Sequence, residues 1–131
     1  MTIQRRVHYL GLALIVCGLM FVFGILPLTI VWPSGWAWHP AQSEYLQMIL
    51  GLYATLGVFL LLAARHPLAH RSLIAFTVWS SVVHAGIMAV QSIGDPMDRG
   101  HLLGDVPVLF LVALVLGLLM PPRGQVERGI S

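Results

Sequence analysis

Four long apolar stretches, separated by short clusters of proline, glycine, tryptophan or charge, make up most of this chain. They run from about His8 to Val31, Tyr45 to Ala64, Ser72 to Gln91 and Leu102 to Met120. An uncharged apolar run of about 17–25 residues is long enough to cross a bilayer as a helix. A helix also satisfies its own backbone groups, which hydrocarbon cannot do. The pattern therefore predicts an all-α fold, a four-helix transmembrane bundle forming one membrane domain over residues 1–131, with neighbouring helices antiparallel.

The segments between the runs refine this picture. Arg5 and Arg6 ahead of an apolar run suggest a signal peptide, but the run is too long for one. Its exit, WPSGWAWHP, has no small-x-small cleavage site, so a retained span is expected. Pro27 should kink or fray the last turns of that span. Trp32, Trp36 and Trp38 are expected to lie along the outer surface as interfacial anchors; the alternative is an aromatic cage for a cationic ligand. Arg65 to Arg71 form a short basic link, which makes helices two and three an expected hairpin. The residues from Ser92 to Gly100 read as a loop. Pro121 and Pro122 stop the fourth helix, and the polar tail from Arg123 to Ser131 is expected to be disordered. Gly51, Ala54 and Gly57 on the second helix, and Ala113 and Gly117 on the fourth, offer close-packing faces.

Composition agrees with the pattern: 58% of residues are hydrophobic and 9% charged, against about a quarter charged in soluble domains. The net charge of +2 is too small and too dispersed to point to nucleic acid. Cys17 is the one cysteine, so no internal disulfide or cysteine-based zinc site is available, and it reads as a packing residue. The distribution of charge says more than its sum. Arg5, Arg6, Arg65, Arg71, Arg123 and Arg128 fall where an even number of spans brings them to one side. Glu44, Asp95, Asp98 and Asp105, with Arg99 alone, fall on the other. The positive-inside rule then predicts N-in/C-in topology, with both termini cytoplasmic.

One stretch places polar groups inside the apolar frame. Thr77, Ser80 or Ser81, His84, Met88, Gln91 and Asp95 recur every three or four residues, so they share a helix face. Lipid offers such groups no partner, so they turn to the bundle interior or a cavity, and an ionisable residue there is by default a functional candidate. His101 and Asp105 share a face of the fourth helix at the same level. Glu44 and Gln47 open the second helix there, and His39 lies in the adjacent loop. His84, Met88, Gln91, His101, Asp105 and Glu44 are therefore the candidate ligand-binding residues, converging on a pocket open to the periplasmic side.

Three readings fit this convergence. In the first, His84 only hydrogen-bonds within the bundle, and Asp105 caps the fourth helix just before Pro107. In the second, His84, His101 and Asp105 hold a metal, a ligand set suited to zinc, copper or iron, and Met88 is a soft ligand to copper or haem. In the third, His84 is a proton-active group or hydrogen-bond donor to a quinone or other lipid-soluble ligand. His8, His66 and His70 lie beside arginines on the basic side, where they meet headgroups.

The segments WSSVVHAGIMAVQ (Trp79 to Gln91) and HLLGDVPVLF (His101 to Phe110) resemble an uncharacterised family of small bacterial four-helix integral membrane proteins. The likeness extends over most of the chain and implies a bacterial inner membrane and a four-helix fold, with no activity attached. By position it singles out His84, Met88, Gln91, His101, Gly104, Asp105 and Pro107. The expectation from sequence is a structural, accessory or small-ligand-binding membrane protein, alone, self-associated or beside a membrane-protein partner. The alternative is a membrane redox or metal-dependent enzyme, or a subunit of one. Four spans without a discontinuous helix pair or internal repeat make a transporter the least favoured class. No cofactor and no reaction are identified by the sequence.

Overall fold

The computed structural model describes residues 1–38 and 44–130. Helix α1 (Ile3–Leu19) is capped by the Thr2 hydroxyl, which accepts from the Arg5 N–H at 3.4 Å. A single π-helical stretch, Met20–Gly24, follows, and the chain continues as α2 (Ile25–Val31). The disturbance expected of Pro27 lies upstream of it. Pro27 cannot donate to Phe23, and the wide turn from Met20 to Gly24, where the Ile25 N–H reaches back to the Met20 carbonyl, precedes this gap.

Trp32, restricted by the proline after it, leaves the helical region at φ −133°, ψ 68°, and one turn, α3 (Pro33–Trp36), folds back. Helix α4 (Glu44–Ala63) starts with a carboxylate in its first turn, where the dipole favours it. A 3-10 turn, Pro67–His70, leads into α5 (Arg71–Gly94). The segment read as a loop is largely ordered: α5 runs on to Gly94, and Pro96–Leu102 forms a 3-10 helix capped by Asp95, whose carboxylate accepts from the Met97 N–H at 2.9 Å. Gly104 breaks the backbone (φ −101°, ψ −108°) between this turn and α6 (Asp105–Leu119). The tail expected to be disordered forms α7 (Arg123–Ile130). Four helical segments, Ile3–Val31, Glu44–Ala63, Pro67–Gly94 and Pro96–Glu127, are long and apolar enough to cross a membrane.

Leu10, Leu14, Leu60, Ile74 and Leu116, with 0 to 1% of their surface exposed, anchor the core, and Cys17 packs beside them. Large apolar side chains such as Phe23, Leu62, Trp79, Val90 and Leu118 point outward, a surface suited to hydrocarbon. At the basic end the side chain of Arg6 donates to a carbonyl in the last turn of α6, and that of Arg71 to one just beyond it. Arg6 Nη2 reaches the Leu118 carbonyl at 2.5 Å, and Arg71 Nη2 reaches that of Pro121 at 2.7 Å. Arginines of the N-terminus and the basic link thus hold the end of α6 and the residues that follow it.

The helices are not arranged as the short link implied. Helix α4 packs on α1, α1 also touches α6, and α6 packs extensively on α5. Helices α4 and α5 make little direct contact, although only the Pro67–His70 turn joins them. The α1–α4 contact is tight because a Cβ at Gly18 would stand 2.8 Å from the Gly57 carbonyl, and one at Gly57 2.7 Å from that of Gly18. Gly51 has no such neighbour and does not take part. Ala113 is buried, whereas Gly117 is exposed and only loosely against Val78. The space left between α4 and α5 sets the position of the site.

Candidate functional site

A cavity of about 380 Å³ occupies this space at the end of the bundle that carries the tryptophans. Such a volume lies within the ordinary range for small-molecule sites, about 300–1,000 Å³. Helix α4 contributes Tyr45, Leu46, Ile49, Leu50 and Tyr53, and α5 contributes His84, Met88 and Gln91. The π-helical stretch supplies Met20 and Phe21, and Asp105, Val108 and Leu109 of α6 close the back. Tyr45 and Gln91 are exposed, which puts the rim of the cavity at the gap between α4 and α5.

Two hydrogen-bonded groups border the cavity. The Tyr53 hydroxyl and His84 Nδ1 share a bond of 2.6 Å that spans the gap between α4 and α5. Phe21 packs edge-on against the Tyr53 ring, with centroids 5.0 Å apart, and holds it in place. The second group is built on Asp105. The His101 Nδ1–H donates to both carboxylate oxygens at 3.0 Å, and Trp38 Nε1–H donates to Oδ2 at 3.2 Å. The Trp38 ring also stacks on the His101 imidazole, 4.0 Å between centroids and 21° between planes. Asp105 begins α6, yet its carboxylate is turned to His101 and Trp38, so its part goes beyond that of a helix-terminal acid.

The tryptophan turn departs from its expected placing. Trp32 is 40% exposed, but Trp36 is 8% exposed and Trp38 half-buried, and both line the cavity. Two glycines allow this. A Cβ at Gly100 would collide with the Ser34 carbonyl oxygen, and one at Gly104 with that of Gly35. The backbone of α3 therefore lies directly on the Pro96–Gly104 segment and carries its indoles over the site.

The sequence stripe on α5 divides in two. Thr77 and Ser80 donate to carbonyls of their own helix, Leu73 at 2.9 Å and Thr77 at 3.3 Å, and have no link to the cavity. His84, Met88 and Gln91 line it, and Asp95 caps the turn beyond it. Asp105 faces the cavity, and His101, fully buried, stands behind it. Glu44 is exposed next to Tyr45 and outside the lining, as is Gln47, and His39 lies outside the described residues. The proposed metal set comes together only in part: His101 meets Asp105, whereas His84 meets Tyr53. Among the described residues no three His, Cys, Asp or Glu side chains group as metal ligands. Tyr53 escaped the sequence reading, which took Trp36 and Trp38 as surface anchors, with an aromatic cage as the alternative. The signal available for Tyr53 was its spacing: Tyr45, Ile49 and Tyr53 fall at intervals of four and put two tyrosines on one helix face.

The model of a family of unknown function, DUF6632, matches residues 5–129. The chain belongs to this family. The match covers all four spans and the whole cavity, and it attaches no activity to them. No curated protein and no solved structure matches the chain.

Proposed function

We propose that this chain is an inner-membrane protein of the bacterial cell whose cavity binds one small lipid-soluble molecule. Both termini lie in the cytoplasm, and the tryptophan end faces the periplasm. The cavity between α4 and α5 carries the reading: apolar over most of its wall, it is bordered by two hydrogen-bonded groups and reaches the surface where lipid would lie. A mostly apolar concavity with a few convergent polar groups is the usual form of a ligand site. The packing reading accounts for Thr77 and Ser80 but leaves a cavity of this size beside Tyr53 and His84 without a purpose. The arginines gathered at the opposite end support the orientation.

A second reading, part of a membrane redox or metal-dependent enzyme, draws on one observation. Two pairs able to hold a proton, Tyr53–His84 and His101–Asp105, border the same cavity. In either case the chain can act alone, with a second copy or beside a membrane-protein partner.

The test is thermal unfolding of the purified protein in detergent, with and without a lipid extract of its own membrane. A ligand that binds only the folded state at 100 times its Kd adds about 2.7 kcal/mol. The midpoint should rise for the natural protein and for Leu52→Trp, whose side chain is 67% exposed, and not for Leu50→Trp, which fills the cavity. An equal rise in all three, or in none, contradicts the proposal.

A further inference from the structure

The cavity joins features that a neutral ligand does not require. Among the described residues its wall holds one carboxylate, Asp105, and no arginine or lysine. The side chains that bond Asp105 are an imidazole and an indole, so no permanently charged group neutralises it. The rings of Trp36, Trp38, Tyr45 and Tyr53 line the same cavity, and that of Trp38 reaches the carboxylate itself. An aromatic face attracts a cation through its quadrupole, more strongly where water is excluded. A carboxylate in a low-dielectric wall attracts the same charge. The approach is biased in the same sense: Glu44 is exposed beside Tyr45, and Asp95 and Asp98 lie at this end against Arg99 alone.

We infer that the ligand is a lipophilic organic cation, an ammonium or phosphonium with apolar substituents, its charge beside Asp105 and its substituents among the aromatic rings. The inference rests on the ligand-binding reading above and specifies the class of molecule. The gap between α4 and α5 admits it from the membrane, with Tyr45 at the rim as the first ring it meets.

Equilibrium binding of tetraphenylphosphonium to the full chain in detergent, followed by calorimetry beside the neutral triphenylphosphine oxide, tests this. The natural protein should bind the cation saturably, one per chain, at least tenfold more tightly than the neutral compound. Asp105→Asn should remove that preference. Because this variant also touches His101 and Trp38, a second pair of substitutions is made at the exposed rim, where folding is not at stake. Tyr45→Leu should weaken cation binding several-fold, and Tyr45→Phe, which keeps the ring, should not. Equal binding of the two compounds, or a preference that survives Asp105→Asn, overturns the inference and leaves the ligand-binding reading standing. Binding of neither compound also overturns it; the ligand-binding reading then falls with it only if the lipid extract gives no stabilisation either.

Discussion

Tyr53 and His84 reach across the gap between α4 and α5, and neither has another side-chain hydrogen-bond partner among the described residues. Hydrogen bonds between spanning helices average about 0.6 kcal/mol and reach about 1.7 kcal/mol, because the unfolded chain in a membrane also finds partners. Tyr53→Phe and His84→Ala should therefore each be mildly destabilising. Combined in one chain they should cost less than their sum, with a coupling of about 0.6–1.7 kcal/mol in a double-mutant cycle of detergent unfolding. Strictly additive single effects would mean that the bond contributes nothing. At this scale His84, Met88, Gln91 and Asp105 were legible in the sequence, because a polar residue in an apolar run has few places to go. Tyr53 was not legible, since a tyrosine among leucines reads as bulk until its hydroxyl meets a partner on another helix. Trp36 and Trp38 were misplaced for a related reason. Interfacial tryptophans suit a lipid surface and a buried roof equally, and the choice was made by Gly100 and Gly104, which let a backbone approach that only contact geometry reveals.

Between elements, glycine decides two contacts. Gly18 and Gly57 bring α1 against α4, and Gly100 and Gly104 seat α3 on residues 96–104. Forcing extra atoms into a packed contact costs about 1–3 kcal/mol. Gly104→Ala should cost that much and should also lift the tryptophan turn, seen as greater quenching of tryptophan fluorescence by a water-soluble quencher. Gly51→Ala, where a Cβ would meet nothing within 4 Å, is the control and should change neither. If Gly104→Ala behaves like Gly51→Ala, the turn is not held by this contact. Four helices long and apolar enough to cross a membrane were legible from apolar length. The arrangement was less legible: a short link predicts neighbours in the chain, whereas close packing follows small residues, and α4 carries its buried glycine toward α1 rather than α5.

For the whole molecule, one end has Arg6 and Arg71 on the end of α6 and the residues that follow it, and the other holds the cavity, the acids and the indoles. That asymmetry gives the topology proposal a direct check. In Cys17→Ser chains, Met97→Cys, at a side chain 71% exposed, should react in intact cells with a thiol reagent that cannot cross the inner membrane. His66→Cys should react only after lysis. The reverse pattern would invert the protein and turn its cavity to the cytoplasm. The central claim, that the cavity is occupied in the membrane, is tested most directly by native mass spectrometry of the protein released gently from its own bilayer. One bound small molecule per chain, released on unfolding and missing from Leu50→Trp, is the predicted result. A bare chain, or a bound species that Leu50→Trp retains, would contradict it.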